Sequence, residues 1–172
     1  MDLRLVAPDL RQIDTVGGEV LACALFADER PPRGSFGLLD WRLAGKLSRF
    51  VESSDFSGEL DEVVLIPGKP RVPFEKILVF GAGPVSSFDD TAARRVFDRI
   101  VSTLSGLRVR MAVVERPGRH LGTIEASRAA ELLLAAWRDR DDQDLWTLVE
   151  EPEDQKVIAA YMAEERRRAR MR

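Results

Sequence analysis

Histidine and cysteine each occur once in this chain of 172 residues, as His120 and Cys23. A single cysteine excludes an intrachain disulfide framework and fits a reducing, cytoplasmic setting. A single histidine leaves a His-based metal site without partners, and no CxxC, HExxH or EF-hand spacing occurs. The Gly-x-Ser-x-Gly elbow of a serine hydrolase is missing. No apolar run approaches the roughly 20 residues of a membrane span. Met1-Asp2-Leu3-Arg4 lacks the basic start and long apolar stretch of a signal peptide. A basic excess is lacking too: 26 Lys and Arg against 29 Asp and Glu give a net charge of −3. That balance argues against a dedicated nucleic-acid binder. Repeats, low-complexity tracts and long linkers are not found.

What is there has the balance of a globular domain, 45% hydrophobic and 32% charged. A chain of this length buries roughly two-thirds of its unfolded surface without a staple. Residues 1–172 read as one domain, with 151–172 a C-terminal helix and arginine-rich end. Hydrophobic periodicity predicts strands at 3–6, 19–27, 62–66, 75–80, 108–114 and 145–149. It predicts helices from 38 to about 53, from 90 to 105, from 123 to 138 and from 151 onward. Residues 14–18 and 139–144 read as turns. The near-continuous apolar run at 19–27 suits a central strand covered on both faces. The short link between 62–66 and 75–80 suggests antiparallel neighbours. Alternating strands and helices point to a three-layer α/β/α fold with a mixed, largely parallel sheet.

Three glycine loops stand where such folds place ligands. They are Arg33-Gly34-Ser35-Phe36-Gly37, Gly81-Ala82-Gly83-Pro84 and Pro117-Gly118-Arg119-His120-Leu121-Gly122-Thr123. The first and third open helices, where free N–H groups and the helix dipole attract anions. Gly34, Ser35, Gly37, Gly118, Gly122 and Thr123 are therefore the candidate ligand-binding residues. The plainer reading makes these turn glycines, His120 a solvated loop residue and Cys23 a core hydrophobe. An acid–base pair would have to come from Ser35, Asp40, Glu115 and His120; a buried His120 with a carboxylate partner would favour one. Trp41, Trp137 and Trp146 read as core or interface anchors. The block from Arg166 to Arg172 reads as a solvated helix end whose cations suit the dipole.

The stretch Phe26-Ala27-Asp28-Glu29-Arg30-Pro31-Pro32-Arg33-Gly34-Ser35-Phe36-Gly37-Leu38-Leu39-Asp40-Trp41, continuing to Leu47, resembles the N-terminal domain of the leucyl aminopeptidases. So does Lys76-Ile77-Leu78-Val79-Phe80-Gly81-Ala82-Gly83-Pro84 followed by an acid-capped helix with Ala93-Arg94-Arg95. The likeness runs over about residues 1 to 150. It implies a macro-domain-like fold. It also implies that peptidase chemistry, with its two divalent metals, belongs to a separate C-terminal domain. That domain's signature, Asn-Thr-Asp-Ala-Glu-Gly-Arg, does not occur here. No catalytic residue, metal ligand or cofactor is therefore expected in these residues.

The expected role is a non-catalytic interaction, oligomerisation or regulatory module, with self-association or a protein partner. In the family this domain helps build the assembly. The C-terminal helix, with Val157, Ile158, Tyr161 and Met162 on one side, packs on its own sheet or on a partner. The alternative is a macro-domain-like binder of a nucleotide or phosphate ligand such as ADP-ribose. Against it, Ala24-Leu25-Phe26-Ala27 stands where macro domains carry Asn-Ala-Ala-Asn. Neither nucleic acid nor membrane is an expected partner.

Overall fold

The computed structural model describes residues 2–53, 56–137 and 145–171. In chain order the elements are β1 (Asp2–Val6), α1 (Leu10–Val16), β2 (Gly18–Leu25), α2 (Gly34–Arg42), α3 (Lys46–Glu52), β3 (Val63–Pro67) and β4 (Phe74–Gly81). There follow α4 (Asp90–Gly106), β5 (Met111–Glu115), α5 (Ala126–Trp137), β6 (Leu145–Val149) and α6 (Pro152–Arg170). The predicted acidic turn at 139–144 lies outside the described residues.

The six strands form one sheet in the order β1-β6-β5-β2-β4-β3. Every neighbouring pair is parallel except β3 and β4, which are antiparallel as the short link between them requires. The apolar run of β2 sits between β5 and β4. Its side chains alternate between two cores, as period 2 dictates. Val20, Ala22, Ala24 and then Phe26 join the core built with α4, α5 and Ile158 of α6. Leu21, Cys23 and Leu25 join the core built with Ile13 of α1 and with α2 and α3. The sheet is thus the middle of three layers.

Several elements differ from the sequence expectation for identifiable reasons. α1 replaces most of a predicted turn: Asp9 caps it by accepting from Arg11 N–H, but only Ile13 is buried, so no period is visible. The predicted helix from 38 begins at Gly34 and is two helices. Ala44 (φ 56°) and Gly45 (φ 73°) are left-handed and break it, although the apolar spacing continues across the break. Asp40 restores the lost capping, its carboxylate accepting from the N–H groups of Leu47 and Ser48 at 2.8 and 3.0 Å. β5 starts at Met111 because Arg108 is also left-handed, at φ 55°. α5 starts at Ala126, and Thr123 does not open it.

On α6, Ile158 is fully buried and Tyr161 and Met162 pack against the core, so these three of the four stripe residues face the chain's own core, while Val157 is exposed. Trp137 and Trp146 pack in the same core with ring centroids 4.2 Å apart and planes tilted by 35°. Trp41 is the opposite case, 76% exposed on α2. No helix of the described residues is long and apolar enough to cross a membrane.

Burial, reinforced by the Glu115 carboxylate, pushes the Cys23 thiol well above its ordinary pKa. The native protein is therefore expected to resist a thiol-specific reagent near neutral pH. Modification should occur only at the rate of global unfolding, measured by labelling across a denaturant series. Rapid labelling of native protein would contradict the position of Cys23 in β2.

Candidate functional site at the carboxyl ends of β2 and β5

β2 and β5 are adjacent and parallel, yet the chain leaves their carboxyl ends towards opposite layers. α2, which follows β2, packs in one core; α5, which follows β5, packs in the other. This divergence makes the crevice in which open α/β sheets hold ligands.

Here the crevice is occupied by the protein's own charges. Glu115, the last residue of β5, is 4% exposed. Its carboxylate oxygens accept the Ser35 backbone N–H at 3.0 and 2.9 Å, placing an anion on the N-terminus of α2. The Arg119 guanidinium donates to the same carboxylate through Nε at 3.2 Å and Nη2 at 2.9 Å. Its Nη1 reaches Glu151 at the start of α6, at 2.6 Å. Arg116, also buried, donates to Glu150 and Asp154 at 2.7 Å each and to the Ile124 carbonyl. The network thus ties the start of α2, the ends of β5 and β6 and the first turn of α6. Burial of Glu150 raises its pKa, and the Arg116 hydrogen bond and charge only partly offset this.

His120 is more sheltered than the solvated loop residue that the sequence suggested. Its ring is 15% exposed, and Nε2 lies 2.6 Å from Glu29 Oε1, itself almost fully buried. The Phe26 ring lies edge-on to it, 6.4 Å away. A part-buried histidine–carboxylate pair is therefore present. Neither Ser35 nor Asp40 is hydrogen-bonded to it among the described residues: Ser35 Oγ is buried without a partner, and Asp40 is the cap of α3. Among the described residues no three His, Cys, Asp or Glu side chains are grouped to hold a metal ion.

The first and third glycine loops meet at Gly34. It is left-handed (φ 61°), and a Cβ there would lie 2.9 Å from both Glu115 Oε1 and His120 Nδ1. Ser35 is joined to this cluster through its N–H. Gly37 instead backs on the Pro32 carbonyl, which a Cβ would meet at 2.7 Å. Gly118 and Thr123 close on each other, a Cβ at Gly118 falling 2.2 Å from Thr123 Oγ1. Gly122 faces open space. The N–H groups of Arg119, Leu121 and Gly122 are used inside the loop, on the carbonyls of Arg116, Gly118 and Arg119. Sequence reasoning missed Glu29, Arg116, Arg119 and Glu150. The available signal was a charged pair directly after each of two apolar strands, Glu115-Arg116 and Glu150-Glu151.

Comparison with known proteins gives three findings. The profile of the cytosol aminopeptidase family, N-terminal domain, matches residues 23–141. Proteins named "Probable cytosol aminopeptidase" are similar: that of Thermosynechococcus vestitus is 29% identical over 118 residues, 67% of this chain and 23% of its own length. That of Trichormus variabilis is 31% identical over 78 residues, 45% of this chain and 16% of its own. The chain thus spans less than a quarter of these relatives. Among solved structures, an Oceanobacillus iheyensis macrodomain with MES bound has a TM-score of 0.73 at 12% identity, over 96% of this chain and 93% of that one. A tomato leucine aminopeptidase mutant has a TM-score of 0.63 at 17% identity, over 94% of this chain and 35% of that one. A Trypanosoma brucei macrodomain in complex with ADP-ribose scores 0.67 at 17% identity, over 91% and 66%. The fold is therefore macro-domain-like.

Removing the Glu115 charge strands Arg119 in the interior. Glu115→Ala is expected to cost about 3–5 kcal/mol in urea unfolding. Glu151→Ala, which removes the exposed partner of the same arginine, should cost about 1 kcal/mol or less. Equal losses would contradict the geometry. Gly34→Ala should cost more than the roughly 1–2 kcal/mol of left-handed strain alone.

Glu150 makes a pH prediction. Its raised pKa means that the folded state keeps the proton to higher pH than the unfolded chain. Its contribution to stability is present at low pH. It is lost as pH rises from the ordinary value of 4.5 through the raised one. The stability of the protein minus that of Glu150→Gln should fall with rising pH over that window, then level. A difference that rises would contradict the assignment.

Proposed function

The chain belongs to the cytosol aminopeptidase family through its N-terminal domain, and from that membership we propose that it is a non-catalytic module acting by self-association, with docking on a protein partner as the variant of the same role. The observation that carries this reading is the Glu115 carboxylate on the Ser35 N–H. A phosphate-binding module keeps that helix N-terminus free for its ligand. Here the position already holds an anion, and the N–H groups of Arg119, Leu121 and Gly122 are used within the third loop. The matched residues lie in the N-terminal domain, which the resemblance separates from peptidase chemistry. The exposed Trp41 supports an interaction role, because a large aromatic in solvent is the residue type that anchors interfaces.

A second reading, a macro-domain-like small-molecule binder, is favoured by the meeting of the two loops at Gly34 and His120. The Trypanosoma brucei macrodomain was solved in complex with ADP-ribose. In this chain such a ligand would rest on Gly34, Ser35, Gly37, Gly118, Gly122 and Thr123. Its phosphate would have to displace Glu115 from Ser35.

Light scattering over a concentration series, paired with a thermal-shift titration of ADP-ribose, separates the two. The proposal predicts a mass above the 19.3 kDa of one chain. It predicts that Trp41→Ala returns the protein towards monomer with an unchanged far-ultraviolet circular dichroism spectrum, and that ADP-ribose leaves the melting temperature of the unaltered protein unmoved. A monomer at every concentration would overturn self-association. A stabilisation approaching about 2.7 kcal/mol at a hundredfold excess over Kd would establish the second reading instead.

A further inference from the structure

A second charged feature lies at the opposite end of the sheet. The β3–β4 turn, at the amino end of β4, and the corner between α2 and α3 enclose a groove of about 290 Å³. Lys46 and Arg49 line it from the helix corner, and Lys69 and Arg71 from the turn. No acidic residue is among its lining residues. Like charges gathered on one groove of a chain whose net charge is −3 raise the local potential for anions and repel one another until one arrives.

The walls are held in place. Gly68 N–H donates to the Glu75 carbonyl and Val72 N–H to the Gly68 carbonyl, closing the turn. A Cβ at Gly68 would lie 2.5 Å from the Phe74 carbonyl, so the turn backs tightly on its own strand. Arg49 is steered by a 3.0 Å bond from Nη1 to the Ala44 carbonyl. The cations are only weakly compensated. Lys69 meets Glu75 at 3.8 Å, with both side chains more than half exposed, and Glu75 also meets Lys76 at 3.6 Å. Lys46 and Arg71 make no ion pair among the described residues, and both are exposed.

We propose that this groove binds a compact multivalent oxyanion. Two arginines and two lysines lining one groove from two segments match a ligand with several charged oxygens, either a short polyphosphate or a small polycarboxylate. The groove lies at the small end of ligand sites, and the remaining charge balance of the chain is acidic. Those two facts favour a small anion over a nucleic-acid strand, which needs an extended basic track. The inference goes beyond the interaction role proposed above and stands or falls independently of it.

The test is isothermal titration calorimetry of the 172-residue protein with tripolyphosphate and, separately, with citrate. Low ionic strength, with a Debye length above about 10 Å, keeps screening weak. Saturable binding at one site per chain is expected, weakened by about tenfold or more in Lys46→Ala/Arg71→Ala, since each full charge at contact distance is worth several-fold. The melting temperature of that variant should not change, because both side chains are exposed. Arg166→Ala/Arg167→Ala, which removes exposed cations from α6, should bind as the unaltered protein does. The stronger of the two probes identifies which oxyanion the groove prefers. Absence of saturable binding would overturn the proposal. So would binding that survives the groove variant or is lost in the α6 variant. A single-stranded oligonucleotide that binds several chains and outcompetes both probes would overturn it as well.

Discussion

One carboxylate joins the layers of this molecule. Glu115 ends a central parallel strand, and its oxygens close on the Ser35 N–H in the first turn of the helix that follows the neighbouring strand. The two chain segments leave the sheet towards opposite faces, so nothing in the backbone ladder holds them together beyond their strands. The Glu115 contact does, and Arg119 neutralises it in the interior. Arg116 and Glu150 repeat the device one strand further along, and Asp154 and Glu151 extend both arginines to α6. Buried ion pairs of this kind add little net stability relative to apolar packing, yet breaking one is expensive. Their effect is to fix geometry: Gly34 has to lack a side chain because Glu115 and His120 are already there.

This arrangement bears directly on what the domain does. A macro-domain-like sheet supplies a crevice at the carboxyl ends of its central strands, but a crevice is a place and not a function. In this chain its anion-attracting helix terminus is satisfied from within. The opposite end of the sheet shows the reverse, with cations gathered on a small groove and few anions to answer them. The two ends therefore divide their electrostatics: one pairs its charges internally, the other gathers charges of one sign. The exposed Trp41 lies on α2, the helix whose start is clamped by Glu115 and whose end leads into the basic corner.

Much of the fold was legible because its strands are long apolar runs ended by glycine, proline or charge. The run at 19–27 announced the central strand, and the short link after 62–66 announced the one antiparallel pair. Short-range detail was not legible. Asp40 looked like a candidate acid because nothing in its spacing reveals that it reaches across a break to cap the next helix. His120 looked solvated because its loop is rich in glycine and charge; its partner, Glu29, lies 91 positions away and no periodicity connects them. A separation of 80 positions hid the Ser35–Glu115 contact in the same way. Of the candidate residues Gly34, Ser35, Gly37, Gly118, Gly122 and Thr123, Gly34 and Ser35 stand at the crevice beside Glu115. What filled the place was carried by charged residues that composition alone assigns to the surface.

The most direct measurement is amide hydrogen exchange at Ser35. If the Glu115 carboxylate holds that N–H as described, its exchange should require global unfolding and should become fast in Glu115→Ala under conditions where the fold persists. Exchange of Ser35 at the rate of an exposed loop amide in the unaltered protein would show the α2 terminus open to solvent and ligand, and would contradict the account.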